Sequence, residues 1–255
     1  MMRIFHAEWL KLRHTPIPWM IFGFPVMLSM VLIWYFSGRP WIAQEDGFES
    51  FFMVWTGILL PAGSAVLCGY LAHEERMAGN YQGILGRGTS RFRLFLGKYL
   101  MAMSSIGICV LLSAGVLCAG TEWMLLWQGD RMSYVLASCW TLIGMLPVCA
   151  LYLWISFAWG MGASVGIGMG GLLAASLIGG TGLGNHVWAA VPWAWPVRMA
   201  LAVRVCLNGE LIRGTAGAAR QILSLGTAVS FAGFVFLLFG SAFWFSRWEG
   251  RNIDE

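Results

Sequence analysis

Apolar residues run along this chain in long unbroken blocks separated by short polar intervals. The blocks cover 17–36, 51–72, 99–120, 134–159, 161–183 and 222–245. Each reaches the roughly 20 residues that a helix rising about 1.5 Å per residue needs to cross about 30 Å of hydrocarbon. None alternates with the period of two that marks a barrel strand, and lipid satisfies no open backbone group. The pattern therefore predicts an all-α integral membrane protein with six spans in a single domain over 1–255. Two polar intervals stand out: 73–98 between spans two and three, and 184–221 between spans five and six.

Composition agrees with this reading. Of 255 residues, 58% are apolar and only 11% charged, and the mean hydropathy is +0.70. A water-soluble chain of this length needs more polar surface than that. The 15 Trp and 33 Gly fit a bilayer, where Trp gathers at headgroup depth and Gly is common in spanning helices. Cys68, Cys109, Cys118, Cys139 and Cys149 lie inside apolar blocks and Cys206 outside, without disulfide or metal-ligand spacing. A net charge of +4 is too small to point to nucleic acid, and its distribution sets topology instead.

Before span one, Met1 to His14 places Ile4, Phe5, Trp9 and Leu12 at helical spacing, with Arg3, Glu8, Lys11 and Arg13 around them. This is the pattern of an amphipathic helix lying in the interface. The apolar block that follows is too long for a signal peptide. With the amino terminus inside, Arg3, Lys11, Arg13, Arg76, Arg87, Arg91, Arg93, Lys98, Arg247 and Arg251 are cytoplasmic. Arg39, Arg131, Arg198, Arg204, Arg213 and Arg220 are then outside, a ratio of ten to six that puts both termini in the cytoplasm. Glu45, Asp46 and Glu49 make the first outer loop acidic.

Pro25, Pro61 and Pro147 should bend spans one, two and four, since each removes a backbone hydrogen bond. Gly162, Gly166 and Gly170 form a small-residue stripe on span five, which suits close helix packing; a hinge or a groove is the alternative. In 184–221, Trp188, Trp193 and Trp195 surround Pro192 and Pro196, and an amphipathic stretch follows. Two short helices at the outer interface fit this pattern, with Trp at headgroup depth and Arg198, Arg204, Arg213 and Arg220 toward water or phosphate. An outer gate touching a membrane-embedded substrate is the second reading.

No energy-converting motif is present. The only Gly-Lys pair, Gly97-Lys98, is followed by Tyr99 rather than by the Ser or Thr of a phosphate-binding loop. Glu74-Glu75 resembles the start of an intramembrane-protease motif, but position 79 is Gly where that motif has Arg. His6, His14, His73 and His186 share no metal-ligand spacing. The six apolar blocks contain no Asp, Glu, Lys or Arg, the mid-membrane charges on which an ion-coupled carrier depends. Energy must then enter through a contact surface, and 73–98 is the only cytoplasmic interval large enough.

The order of these features resembles the permease subunit of an ABC-2 type transporter. The basic leader, six spans with both ends inside, and a first cytoplasmic loop opening on acid, acid and base carry the likeness. Within the loop, Glu74, Glu75, Arg76 and Gly79 match the opening, Ser90 and Arg91 the middle, and Lys98 the close. Gly88-Thr89 stands where the family often has a Pro, and Thr89 or Ser90 is left to cap the helix into span three. Glu74 and Glu75 fall at the carboxyl end of span two, where a helix dipole disfavours acids, so Arg76 or a partner's basic residues should offset them. A solvated membrane exit is the alternative reading of the same cluster.

The resemblance implies a non-catalytic permease of the bacterial cytoplasmic membrane. It implies pairing with a second permease, the same or different, and with two copies of a separate ATPase that binds ATP and magnesium. Chain length, leader and the Trp-rich outer interval look most similar to permeases of lantibiotic immunity and peptide-antibiotic resistance transporters. These expel an antimicrobial peptide from the membrane. A lipid, a polysaccharide precursor or a drug is the alternative cargo, and a non-transporting membrane sensor the alternative role.

Overall fold

The computed structural model describes residues 9–10, 15, 17–39, 44–77, 91–127, 131–208 and 215–247. Most of the basic leader, Arg213, and the two expected loop residues Gly79 and Ser90 lie outside the described residues. All regular structure among the described residues is helical. Six helices are long and apolar enough to cross a membrane: α1 (Trp19–Ser37), α2 (Asp46–Met77), α3 (Arg91–Leu125), α4 (Arg131–Trp159), α5 (Met161–Gly179) and, after one further helix, α7. The further helix is α6 (Ala194–Asn208), and α7 runs over Thr215–Arg247. We call the side where α1 begins and α7 ends the terminal face.

The spans extend past their apolar blocks. With 35 residues, α3 rises about 50 Å, more than the hydrocarbon is thick, so its polar first turns project from the terminal face as helix. The polar interval expected over 73–98 is accordingly helical at both ends, through Met77 and again from Arg91.

Two helices form the centre of the bundle. In α4, 67% of the apolar window is buried, and in α2 61%, against 17% in the last span, so α4 and α2 carry the packing and α7 lies on the perimeter. In α1 and α2, π-helical turns over Trp19–Gly23 and Val54–Leu59 end just before Pro25 and Pro61, whereas Pro147 sits inside α4, which stays α-helical from Arg131 to Trp159. A proline cannot donate to the preceding turn, and the widened turn accommodates the break. A third π turn, Ala175–Gly179, closes α5. There the Ser176 hydroxyl donates to the Gly57 carbonyl across the helix pair, 3.1 Å away.

Small residues do pack α5 against α2, but on a different stripe from the one expected. Gly162, Gly166 and Gly170 face outward, and a Cβ added at any of them meets open space. The buried seam is Ser164 and Gly168, which meet α2, continued by Gly171, Ala175 and Gly179, where Gly171 faces Trp193 and Gly179 faces Ala194 and Val197. Ser164 donates to the Ala65 carbonyl at 3.0 Å, while a Cβ at Gly168 would collide with Ala65 and crowd the Pro61 carbonyl. Both stripes have helical spacing, and the hydroxyls of Ser164 and Ser176 identify the one that needs a protein partner, because lipid gives them none.

The interval after α5 departs furthest from expectation. Two short 3₁₀ turns, the largely exposed Gly182–Gly184 and then Trp188–Ala190 with Trp188 buried, lead the chain back into the bundle. A Cβ at Gly144 would lie 2.7 Å from the nitrogen of Pro196. Gly144 is about 20 Å along α4 from Arg131, so α6 starts near mid-membrane and climbs outward. The tryptophans are not headgroup anchors: Trp193 Nε1 donates to Tyr152 Oη at 2.7 Å, Trp195 Nε1 to the Ala189 carbonyl at 3.1 Å, and Trp188 is buried. Irregular backbone is tolerated at this depth because protein encloses it.

Nor do the arginines of α6 turn to water or phosphate. Arg198 donates to the Ile178 carbonyl at 3.0 Å, the Thr181 carbonyl at 2.6 Å and the Asn185 side-chain oxygen at 2.7 Å. It thereby caps the carboxyl end of α5, where the free carbonyls carry partial negative charge. Arg204 donates to the Gln44 carbonyl at 3.3 Å and lies over the Phe48 ring.

The two glycine stripes give a direct test. Gly168→Leu should cost about 1–3 kcal/mol through overpacking and lower the melting temperature in detergent. Gly166→Leu, two residues away, should melt as the wild type does.

Candidate functional site

The residues singled out by the acid, acid, base cluster sit on the last turn of α2 and face three ways. Glu75 points inward and is buried. Its carboxylate accepts from Lys98 Nζ at 2.9 Å, with 4% of the lysine side chain and 7% of the glutamate exposed. Lys98 lies on the second turn of α3 and also donates to the Leu71 carbonyl at 3.4 Å. The ammonium therefore offsets both a carboxylate and the negative end of the α2 dipole. The expected compensation by Arg76 is supplied by Lys98 instead, from the neighbouring helix.

Glu74 is half-buried on the adjacent face. Tyr70, one turn earlier, has Glu74 and Thr15 as its side-chain neighbours. Thr15 Oγ1 accepts from the Ile17 N–H at 3.3 Å, so it caps the start of the first span. Tyr70 thus lies between Thr15, at the beginning of the first span, and Glu74, on the last turn of α2. Arg76, third in the cluster, is exposed, as are His73 and Met77.

On α3, Arg91 Nη1 donates to the Ser246 carbonyl at 3.3 Å, reaching the last turn of α7. Beneath it Phe95, Phe157 and Phe245, from α3, α4 and α7, meet with ring centroids 6.4, 5.5 and 4.9 Å apart. The buried ion pair and this aromatic cluster bind the terminal ends of α2, α3, α4 and α7 into one block. Of the residues expected at this site, Glu75, Lys98 and Arg91 are brought together as its ties. Arg76 stays at the surface.

Two exposed cations lie at the same end, Arg93 on α3 and Arg247 on α7, which the sequence marks only as orientation charges. Arg247 lies over the Phe243 ring, 4.3 Å from its centroid. Their part in this face follows from helix phase: Arg91 and Arg93 are two residues apart, so they diverge on the helix surface. Thr15 has a sequence signal, since Thr-Pro before an apolar block is a legible helix start, whereas Tyr70 has none.

Removing one member of the buried pair should cost far more than removing both. Glu75→Ala or Lys98→Ala leaves an uncompensated buried charge, a loss of about 3–5 kcal/mol. The double variant Glu75→Leu, Lys98→Met should recover most of that stability. Melting curves of the four proteins in one detergent measure the difference.

Two comparisons bear on identity. No curated protein matches the chain. The model of the family described as ABC-2 family transporter protein matches residues 4–181, more than two thirds of the sequence, from the leader through α5 and ending before α6. Membership implies a transport component rather than an enzyme, working with an ABC ATPase. The chain belongs to the ABC-2 family of transporter proteins, as a multi-pass membrane permease.

Proposed function

We propose that this chain is the permease subunit of an ATP-driven exporter in the bacterial cytoplasmic membrane, with the terminal face in the cytoplasm. It pairs with a second permease and with two copies of a separate ATPase. The ATPase docks on the interval 78–90 and on the exposed side chains that flank it, Arg76, Met77 and Arg93. ATP binding closes the ATPase dimer and displaces this end of the molecule. Because α2, α3, α4 and α7 are tied there by the Glu75–Lys98 pair and the Phe95, Phe157 and Phe245 cluster, the push moves them together. In this reading Glu75, Lys98 and Arg91 transmit force without touching the partner, and Gly79 and Ser90 belong to the docking interval itself.

The observation that carries the proposal is the block at the terminal face: rigid inside, and basic where it meets water. The cargo is a lantibiotic or a similar cationic, amphipathic antimicrobial peptide taken from the membrane. Its support is the likeness to peptide-resistance permeases together with Asp46 and Glu49, both exposed at the end opposite the terminal face, where they attract a cation.

Purification of the tagged protein from gently solubilised membranes, with every co-purifying chain identified, tests the assembly. A soluble subunit with a phosphate-binding loop should be recovered. Its yield should fall about tenfold with Arg76→Glu, Arg93→Glu, as expected for reversed charge at a contact, while melting stays at the wild-type temperature. Absence of any ATPase, or unchanged recovery with the double variant, would overturn the docking surface. Export further requires that the complex lower cell-associated peptide; partner binding without that effect identifies a sensor.

A further inference from the structure

An apolar groove of about 410 Å³ opens between α1, α2 and α3, walled by Ile21, Phe24, Trp55, Ile106 and the Gly63 backbone, with Tyr70 at its terminal end. From Trp55 to Tyr70 it follows 15 residues of α2, about 20 Å. That is comparable with the hydrocarbon depth of one leaflet, about half of 30 Å. Of the polar groups on its wall, the Ser64 hydroxyl donates to the Leu60 carbonyl and Cys109 to the Ile21 carbonyl at 3.4 Å, while the buried Trp55 Nε1 has no partner among the described residues. A wall this apolar suits hydrocarbon better than water. Gly63 leaves the space open, since a Cβ there meets nothing within 4 Å.

The terminal end of the groove is different in chemistry. Tyr70 lies against the Glu74 carboxylate and the Thr15 hydroxyl. Glu74, half-buried one turn beyond Tyr70, has a carboxylate with about four acceptor sites, which suits an ammonium group. Hydrocarbon depth and a half-buried acid at one end are complementary to a single molecular class.

We propose that this groove binds one alkyl chain of a membrane amphiphile from the leaflet on the terminal side, with the amphiphile's amine held by Glu74, Tyr70 and Thr15. The groove lies within one chain and is separate from the surfaces assigned to the ATPase. The site therefore stands or falls independently of the export reading.

The experiment uses the purified full chain in detergent without any ATPase. A hexadecylamine carrying a photoactivatable diazirine is cross-linked and the labelled peptides are mapped, beside the matching hexadecanoic acid probe. Amine labelling should concentrate on α1, α2 and α3. Gly63→Phe, which fills the groove, should lower it about tenfold, whereas Gly166→Phe, also in open space but on α5, should leave it unchanged. Glu74→Gln should weaken amine labelling about tenfold through loss of a charge-assisted hydrogen bond, and leave acid labelling unchanged.

Competition distinguishes the source of the amine. Displacement by phosphatidylethanolamine identifies a bilayer lipid; displacement by unlabelled hexadecylamine alone identifies a single-chain amphiphile. Labelling spread over every lipid-facing helix would overturn the site, and so would insensitivity to both Gly63→Phe and Glu74→Gln. Failure of both competitors would do the same.

Discussion

Lipid supplies no hydrogen bonds, and the architecture of this protein follows from meeting that constraint inside the chain. Proline breaks the regular turn in α1 and α2, and wide π turns absorb the break. Ser164 and Ser176 of α5 then donate to carbonyls of α2, at Ala65 and Gly57. Ser29 of α1 and Ser113 of α3 pair at 2.8 Å. Between apolar helices in a bilayer there is no hydrophobic drive to associate, so close packing of small residues and these polar contacts fix which faces meet.

The same constraint explains how a chain with so few charges can bury some of them. Arg198 closes the end of α5 because three oxygens converge on its guanidinium, a fork geometry that a lysine would not match. Lys98 and Glu75 are buried together at the opposite end of the bundle. A pair of this kind is a weak source of net stability compared with apolar packing, but its geometry permits one register only. Sliding α2 against α3 by a turn would separate the charges in a medium that does not solvate them. The pair therefore ties α2 to α3 on either side of the interval 78–90.

Neighbouring residues in the acidic cluster have different fates for a simple geometric reason. Successive helix positions are about 100° apart, so Glu74, Glu75 and Arg76 look toward α1, α3 and water respectively. A motif that reads as one patch along the chain is in space a half-buried acid, an interior tie and an exposed cation. This is why Arg93 and Arg247 join Arg76 at the terminal face.

The sequence alone determined the class, the number of spans and the position of each, because crossing a bilayer demands a length and polarity that one chain segment displays by itself. It also located the helix irregularities at Pro25 and Pro61, which are local covalent effects. What it left open was every question of facing. Gly162, Gly166 and Gly170 have the same spacing as the buried seam beside them, and only the partner helix decides between the two. The stretch that forms α6 has the Trp, Pro and Arg content of an interfacial segment. It enters the bundle because Tyr152, the Ala189 carbonyl and the end of α5 satisfy its polar groups there. Those partners come from distant parts of the chain, so only the tertiary structure could bring them together.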